Sequence, residues 1–304
     1  MAQTALPNAP LRAVTEAEIE AYQKNGVVFL PAILPPAWVA RIADGIDLMV
    51  AKFSEDIEQN ALDLTARVAY LESRGLGDTL LRDKPAAPIE KKGRFIIRAG
   101  EYRDNDIIRD VMLHSPLPAI AGALMRASKI NVYDDQVLVK EAGSAARTAF
   151  HQDQGYFHVG GADCVAMWTS PDVVTRENGA MGYVPGSQAW GKEFKPNIFV
   201  SQMPRKNAQG EDQPDIEGNE EAYGVVYYET QPGDVIVHNY RALHGAAGNI
   251  SATRGRRALS ARYCGDDAYY RLKPSAPPQL HHKHDLKDGD PLDSDQFPVV
   301  WRRT

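Results

Sequence analysis

In the stretch RTAFHQDQGYF, residues 147–157, a histidine and an aspartate stand two positions apart, at His151 and Asp153. If residues 148–153 are extended, side chains two apart share a face, and one strand offers an imidazole nitrogen and a carboxylate oxygen to one point in space. Two ligands hold a metal weakly, so a third must come from elsewhere. His244 in GDVIVHNYRALHGAAGN is the best donor, because a strong strand signal leads into it and the small residues after it leave room. His238 is its rival, but it lies inside the apolar strand, where a buried hydrogen-bonded role suits it better. Two histidines and one carboxylate on one face form the facial triad of non-haem Fe(II) oxygenases, which leaves three coordination positions open. A zinc hydrolase usually keeps only one.

An iron of this kind needs two more electrons than most substrates supply. 2-Oxoglutarate can provide them by chelating the metal and losing carbon dioxide, and its distant carboxylate then needs a cation. RGRRALSARY, which reaches Arg256 twelve positions past His244, offers planar guanidinium forks that can hold a carboxylate bidentately. As a strand it carries Arg256, Ala258, Ser260 and Arg262 on one face and Arg257, Leu259, Ala261 and Tyr263 on the other. Periodicity alone does not choose the inward face.

The elements that must position these residues are legible in outline. Thr15 caps a helix over TEAEIEAYQKNG, with Glu18 at the capping-box position and Gly26 as its stop. VVFL is a strand, and Pro35-Pro36 opens a second helix. ALDLTARVAYLESRG is helical and RDKPAAPIEKKG an exposed connection. GRFIIRAG is a strand, and two short helices meet at Ser115-Pro116. From about residue 128 the chain changes to short β-prone runs broken by Gly, Pro, Asn and Asp, the pattern of a double-sheet jelly roll. The expected organisation is a single domain over 1–304, mostly β with flanking helices. It has a loose arm at 1–14, a helix-rich flank at about 15–127, a jelly-roll core at about 128–267 and a C-terminal extension at 268–304. The polar insertion at 205–223 is expected to be a mobile surface loop, with a lid as its functional alternative. The tail HHKHDLKDGDPLDSD, despite three histidines, is expected to be solvated rather than metal-binding.

Composition sets bounds on this chemistry. A net charge of −6 over 304 residues gives no basic face for nucleic acid. No apolar run is long enough to span a bilayer, and the start lacks the plan of a secretory signal, so a soluble cytoplasmic protein is expected. Two cysteines, Cys164 and Cys264, are too few for a disulfide framework and are expected to be core thiols in a reducing compartment. Oligomeric state is not encoded in any of these features.

Beyond the triad, four segments resemble the phytanoyl-CoA dioxygenase-like Fe(II)/2-oxoglutarate oxygenases. TEAEIEAYQKNGVVFLPAILPPAWVARI is similar to the family's opening helix, strand and helix, and DDQVLVKEAGSAARTAFHQDQGYF to its first metal segment. AMWTSPDVVTRENGAMGYVPGSQ resembles its central hairpin, and QPGDVIVHNYRALHGAAGNISATRGRRALSARYCGDD its closing strands. The resemblance runs from about 15 to 267. It implies that His151, Asp153 and His244 bind iron, that Arg256 clamps 2-oxoglutarate, and that Gln136 and Trp168 line the cosubstrate pocket. The spacing from the distal histidine is one residue longer than the family pattern, which keeps Arg257 as the alternative clamp. Asp153 favours hydroxylation, because halogenating relatives lack the metal carboxylate. The resemblance further implies Fe(II) as cofactor, 2-oxoglutarate and O2 as cosubstrates, and a small-molecule substrate. Substrate contacts are expected from the metal-side loops: Tyr156 and Phe157 just past the His-x-Asp pair, which packing of the core would explain equally, and Arg262 as an anion contact. Desaturation, ring closure or epimerisation at the same iron, or a catalytically silent binding protein, are the competing readings.

Overall fold

The computed structural model describes residues 6–52, 61–80, 83 and 92–303. The chain opens with α1 (Glu16–Asn25), β1 (Val27–Leu30), α2 (Pro36–Lys52), β2 (Ala61–Asp63), α3 (Leu64–Ser73), β3 (Phe95–Ala99), α4 (Asp106–His114) and α5 (Leu117–Met125). β4 (Lys129–Lys140), β5 (Thr148–His151), β6 (Val159–Gly160), β7 (Cys164–Thr169), β8 (Met181–Tyr183) and β9 (Val226–Tyr228) follow. The last strands are β10 (Val235–Asn239), β11 (His244–Ala246), β12 (Arg256–Cys264), β13 (Tyr269–Tyr270) and β14 (Val299–Arg302). Local chemistry explains the first turn of the fold. The Thr15 side chain accepts the Glu18 backbone N–H while Glu18 reaches back to the Thr15 N–H, and Gly26 ends α1 at φ 67°, where a side chain would be strained. The connection RDKPAAPIEKKG lies almost wholly outside the described residues.

Two antiparallel sheets make a jelly roll. The larger has eight strands in the order β1-β10-β7-β12-β4-β3-β2, with β14 also paired to β4. The smaller runs β5-β11-β8-β9. Helices cover the outer face of the large sheet: Trp38, Ile42 and Ile46 of α2, Ile108 and Val111 of α4, and Leu124 of α5 share one apolar cluster with Leu259, Ala261 and Tyr263 of β12. Strand alternation does the rest, because it sends the opposite residues of β12 into the space between the sheets. The open choice of face is thereby settled, with Arg256, Ala258, Ser260 and Arg262 inward. Cys164 and Cys264 are buried free thiols in the core, as expected. Among the described residues, no helix is long and apolar enough to cross a membrane.

Four expectations need correction. ALDLTARVAYLESRG is not one helix: residues 61–63 pair with β3, and the Asp63 side chain caps α3 by accepting the Thr65 N–H at 2.8 Å. The N-terminal arm is held down from Pro7 onward, with the Trp38 indole donating to the Pro7 carbonyl at 2.7 Å and Leu11 bonded to Ile33. The polar insertion packs rather than standing off. Ile216 is fully buried beside Phe150 and Leu243, Glu217 accepts the Phe150 N–H at 2.7 Å, and Glu220 pairs with Arg147 at 2.7 Å. It braces β5, the strand that ends in His151. The tail is not wholly solvated either: the side chains of His281 and His282 are shielded against Asp134 of β4, the His281 Nε2 at 2.8 Å. Hydrophilic composition concealed both segments, because their anchors are one isoleucine and a few polar side-chain contacts.

Candidate metal and cosubstrate site

The strand carrying the first ligand ends at His151, and Asp153 opens a short 3-10 turn. The expected extension through 153 is therefore corrected. Gln152 between them keeps extended geometry at φ −102°, ψ 136°, which is enough to bring Asp153 back to the same side as His151. His244 lies directly across the β5–β11 ladder from His151. Asp153 Oδ1 stands 3.7 Å from His151 Nε2 and 3.9 Å from His244 Nε2, and the three ligand atoms lie within 4.8 Å of one another. These separations are too long for hydrogen bonds, yet they suit atoms that share an ion at about 2.0–2.2 Å.

The protonation states also fit a metal. His151 Nδ1 faces the Ala149 carbonyl at 2.8 Å and His244 Nδ1 the Ala242 carbonyl at 3.0 Å. Each Nδ1–H donates to its carbonyl, which directs the Nε2 lone pair inward, the usual support of a ligating imidazole. Burial pushes the His151 imidazolium down to about 3 and that of His244 to about 4, so both are neutral ligands at pH 7. Burial alone would raise the Asp153 carboxyl, but Arg262 at 3.7 Å and the nearby histidines hold it well below the usual carboxylate range. His238 is buried as expected, yet it belongs to the surroundings of the site. Its Nε2 is 3.6 Å from Asp153 Oδ2, and its Nδ1 meets the Tyr183 hydroxyl at 3.3 Å.

Across from the triad, the large sheet presents one row of side chains. Ser260 pairs in register with Gln136 on one side and Trp168 on the other, and Arg256 and Arg262 lie on the same face of β12. Arg256 is 1% exposed and sits 5.3 Å over the Trp168 ring. Its Nη2 donates to the Gly179 carbonyl at 3.2 Å, while Nε and Nη1 have no partner. Gly179 permits this approach, since a Cβ there would lie 3.1 Å from Nη2, at a φ of +112°. Burial lowers the guanidinium only to about 10, which leaves it charged at neutral pH. A buried cation with two unpaired donors is costly unless an anion completes it. Arg257, the alternative, points away and pairs with Asp172 at 2.6 Å and Asp47 at 2.8 Å. Arg256, Gln136 and Trp168 line one small cavity with His151, Asp153 and His244.

A second, larger cavity of about 180 Å³ adjoins the first and shares His151, Asp153, Gln136, Phe199 and Arg262 with it. Tyr156, Phe157 and Arg262 all line it. Phe157 also packs in the core, 5.7 Å from the Tyr133 ring, with the Arg262 guanidinium 4.6 Å above its own. Tyr156 hydrogen-bonds Asn197 and meets the His151 ring edge-on at 5.3 Å. The sequence reading missed the far wall, which comes from Pro277, Pro278, Gln279 and His281 of the tail. The histidine cluster was the available signal. With Asp134, His281 and His282 also bring ligand atoms within 4.8 Å of one another, but the 2.8 Å contact is already a hydrogen bond that latches the tail to β4.

A jelly roll holding two imidazoles and a carboxylate at one point, with a buried guanidinium facing them, defines the class of Fe(II)/2-oxoglutarate-dependent oxygenases. Within that class, the family model "Phytanoyl-CoA dioxygenase (PhyH)" matches residues 22–258, and the chain belongs to this family. It is 23% identical over 262 residues to the multifunctional dioxygenase prhA of Penicillium brasilianum, covering 84% of this chain and 74% of that one. It is 23% identical over 261 residues to the peroxisomal phytanoyl-CoA dioxygenase of Homo sapiens, covering 82% and 68%. Among solved structures, the epimerase SnoN in complex with Fe3+, alpha ketoglutarate and nogalamycin RO superposes with a TM-score of 0.65. Identity is 23%, over 94% of this chain and 98% of that one. The carbocyclase SnoK from nogalamycin biosynthesis gives 0.63 at 23% identity, over 95% and 97%.

Proposed function

We propose that the protein is an Fe(II)/2-oxoglutarate-dependent dioxygenase that hydroxylates an unactivated C–H bond of a small or medium-sized metabolite, with release of succinate and carbon dioxide. His151, Asp153 and His244 would hold the iron, and Arg256 the distant carboxylate of 2-oxoglutarate, with Gln136 and Trp168 beside it. The observation that carries this reading is the convergence of both halves of the site: three ligand atoms within 4.8 Å of one another, and facing them a buried guanidinium with Nε and Nη1 unpaired. The residues present therefore fit the metal and the cosubstrate.

When bound, iron and 2-oxoglutarate supply the oxidising chemistry that activates dioxygen. The protein's own share is positioning. Ala149 and Ala242 carbonyls fix the two imidazoles in the ligating tautomer, and Asp153 stays ionised under the charge of Arg262. Arg256, steadied by the Gly179 carbonyl, sets the cosubstrate's orientation, and the buried faces of Trp168 and Met181 keep water from it. The wider cavity lined by Tyr156, Phe157 and the tail would hold the substrate's C–H bond beside the metal. No side chain is required as a general base, because the hydrogen leaves as an atom rather than a proton. Turnover of an identified substrate under 18O2 is expected to place one labelled atom in succinate and one in the product. Product free of label would replace hydroxylation with desaturation, ring closure or epimerisation.

A further inference from the structure

Arginines in this protein are as a rule matched to acids: Arg147 to Asp83 and Glu220, Arg254 to Glu177, Arg257 to Asp172 and Asp47. The substrate-side cavity breaks that habit. Arg67, Arg205 and Arg262 all line it, and the one carboxylate among its lining residues is Asp153, whose Oδ1 serves the metal point. Arg67 of α3 has a single bond from Nη1 to the Ile198 carbonyl at 3.2 Å, and neither it nor Arg205 has an acidic partner among the described residues. Arg262 bonds Gln136 at 3.0 Å, and its Nε, on a side chain 4% exposed, makes no hydrogen bond and stands 3.7 Å from Asp153 Oδ2.

The two outer arginines lie close enough to act on each other. Burial lowers the Arg67 guanidinium, and the charge of Arg205 lowers it further. Both also act on the Tyr156 hydroxyl, which burial pushes up and their charges pull back. Leu64, Ile97, Ile198, Phe199 and Pro277 give the cavity an apolar wall, and the polar side chains Gln136, Asn197 and Gln279 that share its lining carry no charge. Like charges held together against an apolar wall repel unless an anion comes between them, and guanidinium forks match a carboxylate better than any other small anion of metabolism short of phosphate.

We propose that this cavity selects a substrate with an apolar body and a carboxylate, the acid group held by Arg67 and Arg205 and the body laid against Phe199 and Ile198 beside the metal point. The assignment rests on the oxygenase reading above and names its substrate class. Arg262 supplies further positive potential at the metal end, where its charge is already shared with Asp153. Selectivity then lies in charge: an acid should bind and its isosteric amide should not, since an amide leaves the arginine pair uncompensated.

The test uses the intact protein loaded anaerobically with Fe(II) and saturating 2-oxoglutarate, whose visible charge-transfer band reports entry of a molecule beside the metal. Matched probes are 3-phenylpropanoate, decanoate and cyclohexanecarboxylate, each against its primary amide. At least one acid should perturb the band at a concentration about tenfold or more below its amide. Arg67→Gln and Arg205→Gln should each erase that difference while the half-saturation for 2-oxoglutarate stays that of the wild type. Arg205→Lys, which keeps the charge without the fork, should retain part of it. If no acid is preferred to its amide, or the preference survives both glutamine variants, the proposal is overturned. Absence of the band before any probe is added would instead overturn the oxygenase reading, so the two failures are distinguishable.

Discussion

Replacing Arg256 by glutamine removes a buried guanidinium that lines the small cavity and, unlike Arg262, has no carboxylate of the metal site beside it. In the native protein its Nη2 is committed to the Gly179 carbonyl, so Nε and Nη1 remain for the cosubstrate. Each charge-assisted hydrogen bond is worth about 1.5–3 kcal/mol, and the glutamine amide can restore one neutral bond of about 1 kcal/mol. The net loss is then about 2–5 kcal/mol, or about 30-fold to 5,000-fold in the dissociation constant of 2-oxoglutarate. Charge state does not blur the comparison, because an Arg256 pKa of about 10 leaves the native side chain protonated throughout the neutral range. Anaerobic titration of the Fe(II) protein with 2-oxoglutarate, read by the charge-transfer band, measures the effect. Arg257→Gln is the matched control, since Arg257 faces Asp172 and Asp47 and should leave the affinity unchanged. A half-saturation for Arg256→Gln within about threefold of wild type would refute the reasoning, because even one lost charged bond exceeds that. A large loss in Arg257→Gln alone would place the cosubstrate on the wrong face of β12.

Other consequences follow from the same geometry. Iron affinity should stay nearly flat from pH 8 down to about 5.5, because His151 and His244, lowered to about 3 and 4, have no proton to lose in that range; ordinary imidazoles near 6.5 would begin to compete with the metal there. Competition with a chelator of known pH dependence checks this, and a tenfold drop per pH unit setting in near 6.5 would contradict it. His281→Ala leaves Asp134, which is fully buried, with His282 at 3.4 Å and the Asp135 N–H at 2.9 Å, and should cost about 2–4 kcal/mol, seen as a Tm lowered by several degrees. An unchanged Tm would show that the tail latch contributes nothing. Glu217→Gln keeps an acceptor for the Phe150 N–H and should be mild. Glu217→Ala removes it and should destabilise the protein by about 1–3 kcal/mol, measured by urea unfolding; equal effects would dismiss the brace on β5.

The capping box at Thr15, the proline-opened α2 and the break at Ser115-Pro116 were legible because each depends on neighbours in sequence. The triad was legible for a similar reason in part: two ligands lie on one short stretch, and the third follows closely on a strong strand signal, although that strand stops at Asn239 and His244 opens the next one. The inward face of β12 was not, since both faces carry an arginine; only the apolar cluster of Leu259, Ala261 and Tyr263 under the helices decides it. The Asp153 turn was missed because alternation assumes a strand that in fact stops at His151. The insertion and tail misled for one reason: local hydrophilicity cannot register a buried Ile216 or a hydrogen bond that joins residues 134 and 281. Arg67 and Arg205 carry no sequence signal at all, since they meet only in the folded cavity.

The account is tested most directly by adding Fe(II) and 2-oxoglutarate without oxygen to the wild-type protein and to Asp153→Ala. The wild type should develop the visible metal-to-ligand charge-transfer band, and the alanine variant, which lacks one of three ligands, should lose or markedly weaken it at the same metal concentration. A wild-type protein that binds no iron, or binds it without the band, would contradict the central claim.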